Sequence, residues 1–179
     1  PAGTTDMMSP LEQAYQFDVH MRRDVDEMLP AQVVVVVAKD IEQGVVYQNG
    51  GVKVTAFTVD HAPIKPAFGY RIDYGEHSVV LSGDTRYNEN LIHFSQGTDV
   101  LIHEVIYPET FRAGNYAYNP ERTKRIIAPH TTAQQPGQPF GHVTPQTAVE
   151  SPIFPPVDRH RVPQHATHVV VLLAVFVTR

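Results

Sequence analysis

Val79, Val80 and Leu81 make an apolar, mostly β-branched run that stops abruptly at Ser82-Gly83-Asp84-Thr85. A buried strand delivers a polar residue to its carboxyl end in this way, and Asp84 is the residue presented. Upstream, Gly51 to Val59 alternates as a strand and runs into Asp60-His61, where Pro63 and Pro66 forbid its continuation. Phe68 to Tyr74 reads as a strand between these two, and Tyr74-Gly75-Glu76-His77 is the turn that folds it back as a hairpin. One antiparallel meander therefore brings an imidazole and a carboxylate toward a common rim. Such groups are nitrogen and oxygen ligands for zinc and related divalent ions. On spacing alone the plain alternative stays open: His61 caps a strand and Asp84 satisfies a turn.

The flanking chain extends the sheet. Val33 to Val37 and Val45 to Tyr47 read as further strands, with Asn49-Gly50-Gly51 a turn before the strand at Gly51. Ser9-Pro10-Leu11-Glu12 has the form of a helix start, and Leu11, Ala14, Tyr15, Met21, Val25, Met28 and Leu29 follow at helical spacing, predicting one face packed on a core until Pro30. His20 in that helix reads as a surface histidine. Tyr87 to Gln96 has helical potential ended by Gly97, and Asp99 to Ile106 is a buried strand that encloses His103-Glu104. An ionisable pair so placed needs a partner or a shifted pKa. Tyr107 to Asn119 reads as a mobile loop, His130-Thr131-Thr132 as a helix opening cut short by Pro136 and Pro139, and His168 to Val177 as a final strand.

Composition removes several classes of chemistry. There is no cysteine, so thiolate ligands, thiol nucleophiles and disulfides are out, while ten histidines favour metal or acid–base work. A formal charge of −5 with acids and bases interspersed provides no basic face for a phosphate backbone. The 179 residues suit one domain. The apolar run from Val169 to Val177 is far shorter than the roughly 20 residues of a membrane-spanning helix, so the expectation is a soluble, cytoplasmic protein with no membrane partner. The opening Pro1-Ala2-Gly3, without an initiator methionine, reads as the middle of a longer chain.

Asp60-His61, Phe68-Gly69-Tyr70-Arg71, Val79 to Thr85, Asp99 to Glu104 and His130-Thr131-Thr132, in that order, resemble the second half of a metallo-β-lactamase-fold hydrolase. The likeness runs from about Gly44 to Thr132 and points to the branch of ribonuclease Z and its small-substrate, arylsulfatase-like relatives. It implies an α/β fold, the αββα sandwich with mostly antiparallel mixed sheets, here without its N-terminal part. It also implies two divalent metal ions, zinc in the first instance and manganese as the alternative. His61 then matches a metal ligand, Asp84 the aspartate that bridges both ions, and Glu104 with His130 the catalytic pair that helps the leaving group take a proton. A buried structural hydrogen bond is the plainer role for that pair.

Three features depart from the family pattern. The His-x-His-x-Asp-His signature is absent. Pro152 stands where the last ligand histidine belongs; His168 has the right local surroundings but lies far along, and His160, His165 and His168 are an alternative small cluster. The short hairpin between His61 and Asp84 leaves no room for the arm with which ribonuclease Z grips transfer RNA. These features favour a small ester, sulfate ester or phosphodiester substrate over RNA, with ribonuclease Z proper and a non-catalytic binding module as the competing readings. The family often forms dimers, so a homodimer is expected.

Overall fold

Asn49-Gly50-Gly51 sets the start of the sheet. In the computed structural model, which describes residues 3–112, 119–132, 143, 145 and 147–152, both glycines adopt positive φ, 57° and 82°, which residues with a Cβ resist. Asn49 then pairs directly with Val52, joining β1 (Gly44–Asn49) to β2 (Val52–Thr58). The same economy recurs where Tyr74 pairs with His77, closing β3 (Phe68–Tyr74) onto β4 (His77–Leu81) through a turn with Gly75 at φ 59°. These four strands form an antiparallel meander. β5 (Val100–Val105) and β6 (Thr147–Pro152) add to it in parallel, giving one six-stranded mixed sheet in chain order. The fold class is thus α/β with a mixed, mostly antiparallel sheet.

The sheet has two different faces. Phe57, Val80 and Leu101 project from one, where they bury with Leu91 and Val143 against α2 (Glu89–Ser95). The Phe57 ring stacks on Phe94 at 4.8 Å and lies over Gly69, where a Cβ would come within 2.5 Å of that ring. Asn88 caps α2 by accepting from the Leu91 N–H at 3.1 Å, and Arg71 closes its other end by donating to the Phe94 and Gln96 carbonyls. The opposite face carries the paired row Val54, Ile72, Val79 and Val100, all half-buried.

Contacts divide the chain into two compact units, Pro1–Ile41 and Glu42–Arg179. The first contains α1 (Thr4–His20), continued by wider turns over Met21–Asp26. This helix begins before the expected Ser9 start and carries Pro10 inside it, because the Thr5 N–H finds the carboxylate of Asp40 and the Met7 N–H bonds to the Gly3 carbonyl. The expectation of a core-packed helix face fails too: no α1 side chain is buried, and Leu11, Tyr15, Val25 and Met28 are exposed. His20 is exposed and pairs with Asp24, as a surface histidine should.

Val33 to Val37 is not a strand. Ala31–Val34 forms a 3₁₀ turn after Pro30, and beyond it the extended chain meets no described ladder partner. Strand propensity requires a neighbouring strand to act on. A helix that the sequence reading passed over, α3 (Pro120–Ile127), follows the supposed loop; Asn119 accepts from the Arg122 N–H at 2.8 Å and proline opens the first turn. His130 therefore follows a helix rather than starting one, and Thr132 makes a parallel bridge to Ile106. The expected strand at His168 to Val177 and the His160, His165 and His168 cluster lie outside the described residues.

Candidate metal centre

Every group of the site sits on one edge of the sheet. β2 ends at Thr58 and leads to Asp60-His61; β4 ends at Leu81 and leads to Asp84; β5 carries Glu104; the segment after α3 supplies His130. Gly83 makes the turn before Asp84 with φ 62°, and its α-carbon passes so close to the Phe68 carbonyl oxygen that any Cβ there collides with it. Asp84 is left exposed, and among the described residues its carboxylate accepts no hydrogen bond, so its lone pairs are free.

His61, Asp84 and His130 converge. One ligand atom from each lies within 4.8 Å of the others, and the two imidazole rings are 4.9 Å apart. The rings are oriented from behind. His61 Nδ1 lies 3.1 Å from the Pro129 carbonyl oxygen, and His130 Nδ1 lies 3.1 Å from Glu104 Oε1, which assigns the ring proton to Nδ1 and leaves Nε2 free in both. Two bonds of about 2.1 Å placed back to back span roughly 4.2 Å. A spread of up to 4.8 Å thus fits a single ion after a small closure, or two neighbouring ions. The donor set is imidazole and carboxylate, suited to zinc or manganese. Among the described residues no second grouping of three such donors occurs.

Glu104 organises the back of the site. Its Oε1 accepts from the Thr85 N–H at 3.0 Å and the Thr131 N–H at 3.1 Å as well as from His130. One buried carboxylate oxygen thereby fixes the loop that presents Asp84 and the segment that presents His130. Thr131 Oγ1 adds a bond to the Thr85 carbonyl at 2.8 Å, and the Ile106 N–H reaches the Thr131 carbonyl at 2.9 Å. Oε2 of Glu104 is buried with no hydrogen bond among the described residues. Burial by itself lowers the pKa of His130, but the hydrogen bond and charge of Glu104, with the charge of Asp84, outweigh it and raise that pKa above its ordinary 6.5.

All four sequence candidates are therefore in one place, with His130 closer to His61 and Asp84 than an acid partner of Glu104 alone required. Pro152 ends β6 beside Val105, and a proline there offers no ligand atom. Sequence reading missed Thr85 and Thr131, whose main-chain N–H groups hold Glu104; the Gly83-Asp84-Thr85 and His130-Thr131 pairs were the available signal.

Candidate donors after β2, β4 and α3, gathered on one edge of a mixed sheet, make an arrangement suited to holding a metal ion. Residues 2–151 match the family described as the Beta-lactamase superfamily domain, and the chain belongs to that superfamily. Within that superfamily, the chain is similar to proteins named ribonuclease Z. Ribonuclease Z of Mycolicibacterium gilvum (strain PYR-GCK) is 28% identical over 139 residues, covering 75% of this chain and 46% of that protein. Ribonuclease Z of Mycobacterium avium (strain 104) is 33% identical over 108 residues, covering 59% and 38%. The chain spans less than half the length of these relatives. Among solved structures, the metallo-beta-lactamase fold protein YhfI from Bacillus subtilis is similar with a TM-score of 0.45 and 22% identity, over 62% of this chain and 41% of that one. The short form of human tRNase Z is similar with a TM-score of 0.44 and 16% identity, over 59% and 37%.

Proposed function

We propose that this chain carries half of the catalytic centre of a metal-dependent phosphodiester hydrolase of the ribonuclease Z type. The convergence of His61, Asp84 and His130 within 4.8 Å, backed by Glu104, is the observation that carries this reading. His61 and Asp84 would hold the cation, with His130 at its side. A divalent ion bound there supplies Lewis acidity toward a phosphoryl oxygen. The chain's own residues do the rest: Glu104 orients the His130 ring through Nδ1 and favours its protonated form, and as the imidazolium His130 would give its Nε2 proton to the departing oxygen and return to the neutral Nδ1–H ring.

Zinc titration of the 179-residue chain and its variants tests the assignment. His61→Ala and Asp84→Ala are expected to lose the ion and His130→Ala to keep it, while in the complete protein His130→Ala is expected to lower turnover. Loss of the ion in His130→Ala makes that residue a third ligand instead of the acid. A parent chain that takes up neither zinc nor manganese supports the non-catalytic binding module.

On substrate, the preference for a small ester that net charge suggested finds no support among the relatives, which bear the name ribonuclease Z. RNA is the substrate class we propose. A small phosphodiester is the second reading, favoured by the two-residue turn between Tyr74 and His77, which leaves no arm between His61 and Asp84. Cleavage of a precursor transfer RNA by the metal-loaded protein, measured beside hydrolysis of bis(p-nitrophenyl) phosphate, separates the two. The homodimer expected from the family is likewise a proposal, read by sedimentation.

A further inference from the structure

His61 stands outside any strand, its ring against the Pro129 carbonyl and its own carbonyl accepting from the Ile64 N–H at 3.0 Å. β2 ends at Thr58, and the chain then passes Asp60, His61 and Ala62 into a proline-interrupted loop with exposed Ile64. A ligand on such a stretch is as well placed as whatever braces its neighbours. One such brace reaches both neighbours of His61: Arg86, two positions beyond Asp84.

Arg86 grips both sides of His61. Its main-chain N–H donates to the Asp60 carbonyl at 3.0 Å, and its Nη2 donates to the Ala62 carbonyl at 3.1 Å. Its Nε lies 3.4 Å from Asp60 Oδ2, buried and without a hydrogen bond among the described residues, so that contact is electrostatic rather than directional. Asp60 closes the ring: Oδ1 accepts from the Ala62 N–H at 3.2 Å, while the Asp60 N–H reaches Thr85 Oγ1 at 3.2 Å. The residues either side of the imidazole are thus tied to the loop that presents Asp84.

We propose that Arg86, with Asp60, is a positioning residue that sets the separation of His61 from Asp84 and so the affinity of the site for a divalent ion. The assignment of a cation to His61 and Asp84 is the reading on which this rests. Arg86 touches neither ring nitrogen; it acts through the backbone of residues 60 to 62. The pair is about two-fifths exposed on each side, so its share of overall stability is small. Its effect is expected in geometry instead.

The test uses two readouts on the 179-residue chain. Zinc affinity, measured by competition with a chromophoric chelator, is expected to fall about ten-fold or more in Arg86→Ala, in line with losses of ligand-orienting partners. It should fall less in Arg86→Lys, which keeps the charge without the forked donors. Asp60→Asn, which retains the shape and the Ala62 hydrogen bond, should also fall between parent and Arg86→Ala. Melting temperatures should stay close to that of the parent, as they should for the exposed control Arg22→Ala.

The second readout needs no metal. Long-range proton–nitrogen NMR of the His61 ring in the metal-free chain is expected to show one fixed Nδ1–H tautomer in the parent and averaging tautomers in Arg86→Ala. An unchanged His61 ring in a folded Arg86→Ala chain overturns the proposal, as does unchanged zinc affinity. A parent that binds no zinc, but whose His61 ring loosens in Arg86→Ala, removes the metal assignment and leaves Arg86 as the brace.

Discussion

Glu104 gives one oxygen to three donors, and that arrangement sorts its substitutions. Glu104→Gln keeps an acceptor for the Thr85 and Thr131 N–H groups but loses the charge that holds His130, and its new amide protons have no described acceptor. We expect it to cost roughly 1–3 kcal/mol in urea unfolding, with the metal site retained. His130 gives a pH signature. Its folded pKa is raised, so in the metal-free chain the pair adds stability that is complete below the ordinary value of 6.5 and is lost as pH rises through the higher folded value. Melting temperature should therefore fall with pH across that window in metal-free protein. His130→Gln should flatten the slope. Arg86 shows what a residue-by-residue reading misses, since an arginine after Gly83-Asp84-Thr85 looks like ordinary surface charge until the fold brings it back to residue 60.

Gly83→Ala is the sharpest test among the elements. A Cβ there meets the Phe68 carbonyl, and the backbone is already in the left-handed region at φ 62°. We expect a loss of about 2 kcal/mol or more by urea unfolding, with weakened zinc binding because Asp84 follows directly. The hairpins and strands around this turn were legible in the sequence because their information is local: Asn49-Gly50-Gly51 and Tyr74-Gly75 are turn chemistry, and Val79 to Leu81 is a buried run closed by a polar stop. His61 and Asp84 were legible for the same reason, standing at strand ends. Val33 to Val37 was misread because a β-branched run says nothing about whether a partner strand exists. Pro10 was misread as a first helical position because the cap that starts α1 comes from distant Asp40. The Asn119-Pro120-Glu121 start of α3 was readable and passed over; its neighbours read as loop.

For the molecule as a whole, a cation bound only by the folded form must stabilise it. Zinc at one hundred times its dissociation constant should add about 2.7 kcal/mol, seen as a higher melting temperature that a chelator reverses and that Asp84→Ala lacks. The half-buried row Val54, Ile72, Val79 and Val100 marks the face on which a sandwich fold places its second sheet, and dye binding to that row reports whether it is covered. Among the described residues no helix is long and apolar enough to cross a membrane. The order of the chain adds a last consequence. The three converging side chains come from stretches around residues 61, 84 and 130, each separated by whole strands or helices. During synthesis, the cluster can therefore close only once the last of them has left the ribosome, so its assembly marks the completion of this sheet edge.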